Sequence, residues 1–383
     1  MEHLLNEKHQ LVRKTLAEFA LKEVKPYAKV IDEQETFPNE TVKKMAKMHL
    51  FGLPFSTEHH GAGGDTVSYA IAVMELSKVC ATTGVILSAH TSLCAEPIYR
   101  WGTESQKNRY LPDLLSGKKL GAFGLTEPNA GTDAGAQKTK AIEHDDHYIL
   151  HGNKIFITNA GEADVYIISA MTEPNEKHKG MSLFIVEGDT PGFSVGKKEL
   201  KLGIRASSTK ELILNRVKVP KENLLGKKNK GFMMALETLA GGRIGIAAQA
   251  VGIAEGAIEQ ALNYTSQRKQ FGKSILSFQN TQFVLAELET KKEAAKQLLF
   301  KAAKYKDLGM PYAKEAAMAK LFAGETATEV TQKALQLFGG YGYTREYDIE
   351  RMMRDAKITE IYEGTNEAQK MVIANSMMKG VKS

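Results

Sequence analysis

Cysteine is nearly absent from this chain of 383 residues, with Cys80 and Cys94 the only two. They show neither metal-type spacing nor a disulfide framework. A reducing interior suits them, and a cytoplasmic location is expected. Proline is sparse, at ten residues, and no low-complexity tract occurs, which excludes long disordered regions. No stretch approaches the roughly 20 apolar residues of a membrane span. The N-terminal Met1-Glu-His-Leu-Leu-Asn-Glu-Lys8 lacks the apolar centre of a secretory signal. Large charge of one sign is missing too: the net charge is +6, with basic residues spread out except at Lys197-Lys198-Glu-Leu-Lys201 and Lys227-Lys228-Asn-Lys230. Those two runs read either as solvated loops or as contacts for an anionic partner. Zinc spacing, RNP patterns and basic heptads are all absent, so no nucleic-acid partner is expected. The adjacent His59 and His60 point apart on most backbones, and no metal site is expected there.

Several catalytic signatures are missing as well. There is no G-x-S-x-G elbow and no Walker loop. Gly339-Gly340-Tyr-Gly342 follows a helical stretch and opens no βαβ unit, so it is not the dinucleotide fingerprint of a nicotinamide enzyme.

What is present is length for two or three domains and a 43% hydrophobic content that supports a full core. Residues 1 to about 118 read as helical. Leu11, Val12, Leu16, Phe19 and Val24 follow a helical period, Pro38 leads into a helix from Asn39, and further helices are expected over 66–79 and 85–101. From 119 to about 225 the period changes. Leu120–Thr126, a hairpin over 139–150, Lys154–Thr158, Asp164–Ser169, Met181–Val186 and Glu211–Val217 read as short strands, and predict an antiparallel β domain. From 226 to 383 helix returns, with long helices over 233–266, 278–307 and 311–338, joined by short loops as in a bundle. The fold class is therefore α+β: a helical domain, a middle antiparallel β domain and a C-terminal four-helix bundle.

Five stretches could carry chemistry. In Phe123-Gly-Leu-Thr126-Glu-Pro-Asn-Ala-Gly131-Thr132-Asp133 a strand opens into a loop of free N–H groups and two threonine hydroxyls, suited to a polar ring edge or a carbonyl. A plain β-turn is the other reading. In Lys154-Ile-Phe156-Ile157-Thr158 an aromatic and a hydroxyl at a strand end could cover a flat ring, or simply pack. Arg268-Lys-Gln-Phe271-Gly, followed by Phe278-Gln279, suits an anionic aromatic ligand or a helix end. Gln336-Leu-Phe-Gly339-Gly340 allows close backbone approach, or a tight helix stop. Finally, Tyr362-Glu363-Gly364-Thr365-Asn366 sets a carboxylate beside an aromatic ring, before a flexible turn and residues able to cap the next helix. It reads either as a base projected into a pocket or as an ordinary loop with a solvated glutamate.

In this order, Leu125-Thr-Glu-Pro-Asn-Ala-Gly-Thr-Asp133, Gly203-Ile-Arg-Ala-Ser-Ser-Thr209, Arg268-Lys-Gln-Phe-Gly272, Gln336-Leu-Phe-Gly-Gly-Tyr-Gly342 and Arg354–Thr365 resemble the acyl-CoA dehydrogenase family over essentially the whole chain. The resemblance implies a flavoprotein with FAD held between domains and across a subunit interface of a homotetramer. It implies the reaction of fatty acid β-oxidation in which a saturated acyl-CoA becomes the trans-2-enoyl-CoA. A glutamate removes the α-proton, hydride passes to flavin N5, and electron-transfer flavoprotein takes the electrons.

The family's base falls on Glu363. Some branches place it instead on the first long helix of the last domain, at the position of Gly242, which cannot act as a base. The short-chain, butyryl-CoA type is the nearest branch, with medium-chain or branched acyl-CoA and an oxidase of the same superfamily as alternatives. By resemblance Phe123, Leu125, Thr126, Gly131 and Thr132 line the flavin, with Phe156, Ile157 and Thr158 at its ring. Arg268, Phe271, Phe278 and Gln279 reach the FAD of a neighbouring subunit, and Gln336, Gly339, Gly340, Thr365 and Glu367 contact its adenosine half. Thr132, Gly241, Arg243, Tyr362 and Gly364 contact substrate. Phe156 stands where the family usually has tryptophan, and Thr132 where it usually has serine. The thioester carbonyl would be held by the Glu363 N–H and a flavin ribityl hydroxyl.

Overall fold

The computed structural model describes residues 5–381. The first helices are amphipathic stripes: α1 (Glu7–Phe19), α2 (Lys25–Gln34) and α3 (Asn39–Lys47), the last burying Thr41, Val42 and Met45 on one face. By contrast α4 (Thr66–Ser77) and α5 (Ala81–Ser88) are largely apolar and buried throughout. The single helix expected from Val85 is instead α5, a π-helical turn over Ala89–Ala95, and α6 (Glu96–Trp101). Then α7 (Glu104–Leu115) leads into the sheet.

The strands are β1 (Gly121–Gly124), β2 (Lys140–Glu143), β3 (His147–Thr158), β4 (Val165–Met171), β5 (Met181–Glu187), β6 (Phe193–Lys198), β7 (Thr209–Pro220) and β8 (Leu224–Leu225). Their order is β6-β7-β3-β2-β4-β5-β8, with β1 beside β4. Most pairs are antiparallel. The expectation of a wholly antiparallel domain needs one correction: β1 runs parallel to β4, Gly121 opposite Val165, and β2 meets β4 in parallel at Lys140 and Met171. The chain between β1 and β4 contains the β2–β3 hairpin, which carries it across the sheet in place of a crossover helix. Lys154–Thr158, expected as a separate strand, is the second half of β3 beyond a register shift at Gly152.

The C-terminal part holds α8 (Gly231–Gln267), a small hairpin of β9 (Lys269–Gln270) and β10 (Lys273–Ser274), α9 (Gln279–Asp307), α10 (Ala313–Leu337), α11 (Ile349–Ile358) and α12 (Asn366–Val381). α10 packs on α8, α9, α11 and α12. Small residues let α4 sit directly on α8: a Cβ at Gly252 would lie 2.2 Å from the Met74 carbonyl oxygen, and one at Gly256 2.1 Å from that of Lys78. One apolar cluster runs through α1, α4, α5, α8, α9 and α10; two others cover the faces of the sheet. Among the described residues no helix is long and apolar enough to cross a membrane.

Candidate active site

The loop between α11 and α12 turns sharply, with φ of +53° at Glu363 and +95° at Gly364. A left-handed glutamate costs roughly 1 kcal/mol or more and persists only where its surroundings hold it. Here a set of hydrogen bonds does so. Lys320 Nζ and Gln369 Nε2 both donate to the Gly364 carbonyl, at 2.8 and 2.7 Å. The Tyr362 hydroxyl donates to Gln249 Oε1 on α8, and Gln249 Nε2 donates to the Ala81 carbonyl at 2.9 Å. The Asn366 N–H donates to the Glu360 carbonyl at 2.9 Å, and the Thr365 hydroxyl caps α12 by accepting from the Ala368 N–H at 3.3 Å.

These contacts aim the Glu363 carboxylate at α8. An ideal Cβ at Gly242 would stand 1.9 Å from Glu363 Oε2 and 2.9 Å from Leu93 Cδ2, so the carboxylate occupies space a side chain would need. Oε2 is buried and has no hydrogen-bond partner among the described residues. Burial pushes the carboxyl up to about 7, with the positive charges of Arg243 and Lys320 pulling the other way. Arg243, next along α8, is buried with an unpartnered Nε, and burial lowers it despite the Glu363 charge. A carboxylate titrating near neutrality with a free lone pair can take a proton from a weak carbon acid.

A second constellation lies where β1 ends. Lys154 on β3 is wholly buried, and its ammonium donates to Glu127 Oε1 at 2.8 Å, Gln137 Oε1 at 3.0 Å, Ser169 Oγ at 3.1 Å and the Leu125 carbonyl at 3.2 Å. Glu127 in turn accepts from the N–H groups of Lys138 and Thr139. This knot fixes the loop from Thr126 to Thr132, while Gly131 and Thr132 stay exposed. The Ile155 N–H donates to the Thr126 carbonyl at 2.9 Å, joining the loop to β3. Next to that bond, β3 shifts register between Lys154 and Ile157, and Phe156 takes φ +59° with 59% of its surface exposed. A bulky left-handed residue at a bulge is a costly way to turn a ring outward. Phe123, Leu125 and Ile157 face the core, and Thr158 is half-buried.

Residues 6–118 match the acyl-CoA dehydrogenase N-terminal domain, 122–217 its middle domain and 229–378 its C-terminal domain. The chain belongs to the acyl-CoA dehydrogenase family. It is 58% identical to the short-chain specific acyl-CoA dehydrogenase of Clostridium acetobutylicum, over 99% of this chain and 100% of that one. The solved butyryl-CoA dehydrogenase of Megasphaera elsdenii is 48% identical and superposes with a TM-score of 0.96, covering 98% of this chain and 99% of that one. A chain in the structure described as the electron transferring flavoprotein of Acidaminococcus fermentans is 51% identical with a TM-score of 0.96, covering 97% and 98%.

In this acyl-CoA dehydrogenase the expected site residues fall into separate groups. Arg243, Tyr362, Glu363, Gly364 and Thr365 gather around the α11–α12 loop, whereas Gly241 faces elsewhere, its ideal Cβ nearest Lys306 Nζ at 3.6 Å and Tyr312 Oη at 3.8 Å. Glu367 lies exposed in the first turn of α12. Thr126, Gly131, Thr132, Phe156 and Thr158 border the loop after β1. A third group sits at the far end of α8. Arg268 lies over the Tyr341 ring at 5.4 Å, Phe271 meets Phe278 edge-on at 6.2 Å, and Gln279, Gln336, Gly339 and Gly340 are exposed nearby. At 1.5 Å per residue, Gly242 and the last residue of α8, Gln267, are about 38 Å apart along the helix.

Several supporting residues escaped the sequence reading: Lys320, Gln249, Gln369, Glu127 and Lys154 as an anchor. Lys320 left a signal, a single lysine in Ala316-Ala-Met-Ala-Lys320-Leu-Phe322. The others look like any polar residue of a helix or strand.

Proposed function

We propose that this chain catalyses the FAD-dependent α,β-dehydrogenation of a short-chain acyl-CoA to the trans-2-enoyl-CoA, with Glu363 as the base. The observation that carries this is the Glu363 carboxylate: buried, unpartnered at Oε2, raised to about 7, and set against the bare face of α8 at Gly242. At that position Glu363 removes the α-proton of the bound thioester. The Glu363 N–H has no acceptor among the described residues and is free to hold the thioester oxygen as charge develops there. FAD, when bound, supplies the hydride acceptor. The residues present fit it: an outward-turned Phe156 ring, exposed Thr132, and glycines 131, 339 and 340 whose Cβ positions have nothing within 4 Å.

Short acyl length is supported by α8 itself. One turn beyond Gly242, about 4.5 Å along the axis, a Cβ at Gly245 would lie 2.2 Å from Ser88 Oγ and 2.4 Å from Tyr69 Oη. That face of the helix therefore closes soon after the base. The names of the relatives at high identity point the same way.

Electron-transfer flavoprotein is the proposed acceptor, supported by the likeness to the Acidaminococcus fermentans chain. A homotetramer is the proposed assembly. Arg268 and Phe271 lie past the far end of α8, too distant to serve the same subunit's Glu363, and Phe271 and Tyr343 are 93% and 90% exposed. We take 1–118, 119–225 and 226–383 as its three domains and a cytoplasmic location as its setting, in keeping with two free, buried cysteines.

The test is anaerobic flavin bleaching with a panel of acyl-CoA esters from four to sixteen carbons, plus isobutyryl-CoA and 2-methylbutyryl-CoA. Bleaching greatest with butyryl-CoA is expected. A profile peaking at longer or branched chains rejects the short-chain assignment, and no bleaching with any ester rejects the activity.

A further inference from the structure

Lys320 is an unusual residue for its place. It stands on α10 among alanines, and its side chain is fully buried. Its ammonium donates to the Gly364 carbonyl at 2.8 Å and to Asn366 Oδ1 at 3.3 Å. The carboxylates around it, Glu363, Glu360 and Glu367, act on it through space and not by contact. A buried ammonium without an ion pair is costly. Holding the loop does not explain that cost, because the neutral Gln369 amide already donates to the same carbonyl at 2.7 Å. What Gln369 lacks is charge.

We propose that Lys320 is a positioning residue for the base: its ammonium ties down Gly364 and, together with Arg243, supplies the positive field that keeps the Glu363 carboxylate ionised beside the substrate. The proposal rests on Glu363 being the base. The charged groups that act on Glu363 are Arg243 from α8 and Lys320 from α10; the hydroxyls of Tyr69 from α4 and Tyr362 from its own loop are pushed up by burial and by the Glu363 charge. Burial lowers Lys320 itself to about 8, where Glu363 counteracts the fall and Arg243 adds to it. Arg243 and Lys320 are the two cations that act on the buried Glu363 carboxyl, and the same charges suit the negative charge that develops on the thioester oxygen during proton removal.

The experiment measures kcat/KM against pH for FAD-loaded enzyme with butyryl-CoA and a dye acceptor. Variants are Lys320→Gln, which keeps a donor and loses the charge, Lys320→Met, which loses both, and Lys320→Arg, which keeps the charge. Removing a nearby positive charge disfavours the carboxylate. The acid limb is expected to move up by about one pH unit in the Gln and Met variants, with a roughly tenfold loss at pH 6, and to stay in place in Lys320→Arg. A purely structural role would lower activity equally at every pH. An unmoved limb in an FAD-loaded Gln or Met variant overturns the proposal. If neither neutral variant takes up FAD, the Glu363 carboxyl is titrated in the flavin-free parent and Lys320→Gln proteins by its infrared carboxyl stretch, an upward shift in the variant counting for the proposal and an unmoved one against it. Glu363→Gln is run beside them: normal turnover there removes the base assignment itself, whereas loss of turnover with unmoved limbs removes only the role of Lys320.

Discussion

Glu363 and Gly242 face each other so closely that the carboxylate of one fills the side-chain space of the other, with 1.9 Å between Oε2 and an ideal Cβ at the glycine. Residues 121 positions apart thus share one small volume. The bare helix face and the projecting glutamate are a single device, and each constrains what the other can be.

Gly242→Ala tests it directly. The atoms nearest the added methyl are the side-chain ends of Glu363 and Leu93, which can swing aside. Alanine also favours helix over glycine by about 1 kcal/mol. The urea midpoint is expected to stay within about 1 kcal/mol of the parent. Turnover of butyryl-CoA is expected to fall by roughly a hundredfold, because the proposed base is displaced from its position.

Glu363→Gln removes the proposed base and keeps the shape. Turnover is expected to fall by about 10³-fold or more, with the flavin spectrum retained. The same variant probes stability. The folded carboxyl sits at about 7, above its ordinary value of 4.5, so the proton is bound more tightly in the folded state. Glu363 then costs nothing below pH 4.5, an increasing amount as pH rises, and up to about 3 kcal/mol above pH 7. In urea titrations of FAD-loaded protein, Glu363→Gln is expected to be the more stable form at pH 8. The gap is expected to close by pH 4.

The buried pair of Lys154 and Glu127 holds the loop after β1. Lys154→Met leaves Glu127 buried without its cation and is expected to cost about 3–5 kcal/mol. Chemical denaturation measures that loss, and flavin absorbance should show reduced FAD occupancy. Adding Glu127→Leu to Lys154→Met is expected to restore part of the stability and none of the loop order, so FAD occupancy should remain low.

Arg268 and Phe271 are exposed in the single chain, so replacing them should leave its stability nearly unchanged. Arg268→Ala is nevertheless expected to weaken FAD binding by tenfold or more, as read by flavin fluorescence on dilution. Mixing unfolded Arg268→Ala and Glu363→Gln chains and refolding them together at limiting FAD should give more activity than the two variants refolded separately. A site completed by a neighbouring subunit can combine an intact Glu363 with an intact Arg268, and recovery absent from the mixture would reject that assembly.

Much of this protein was legible in its residues taken in order. Hydrophobic period separates the first helices, the strands and the last helices, because period follows from local backbone geometry. Tyr362-Glu363-Gly364-Thr365 is recognisable as a turn before a helix, and the turn, with left-handed Glu363 and Gly364, is there. The parallel pairing of β1 with β4 was not legible, since partner choice in a sheet depends on where a distant hairpin carries the chain. Nor was the π-helical turn over Ala89–Ala95, which an apolar run does not distinguish from α-helix.

The order of residues sets which groups exist: a glutamate before glycine at 363–364, a helix with bare positions at 241, 242 and 245, a lysine among alanines at 320. Tertiary structure alone decided what they do. The Glu363 carboxyl is raised because packing buries it, and Gly242 matters because α8 passes in front of it. Lys320 reaches Gly364 because α10 lies against the α11–α12 loop. Charge, desolvation and close approach are properties of distance, and distance between residues far apart in the chain is set only when the helices pack.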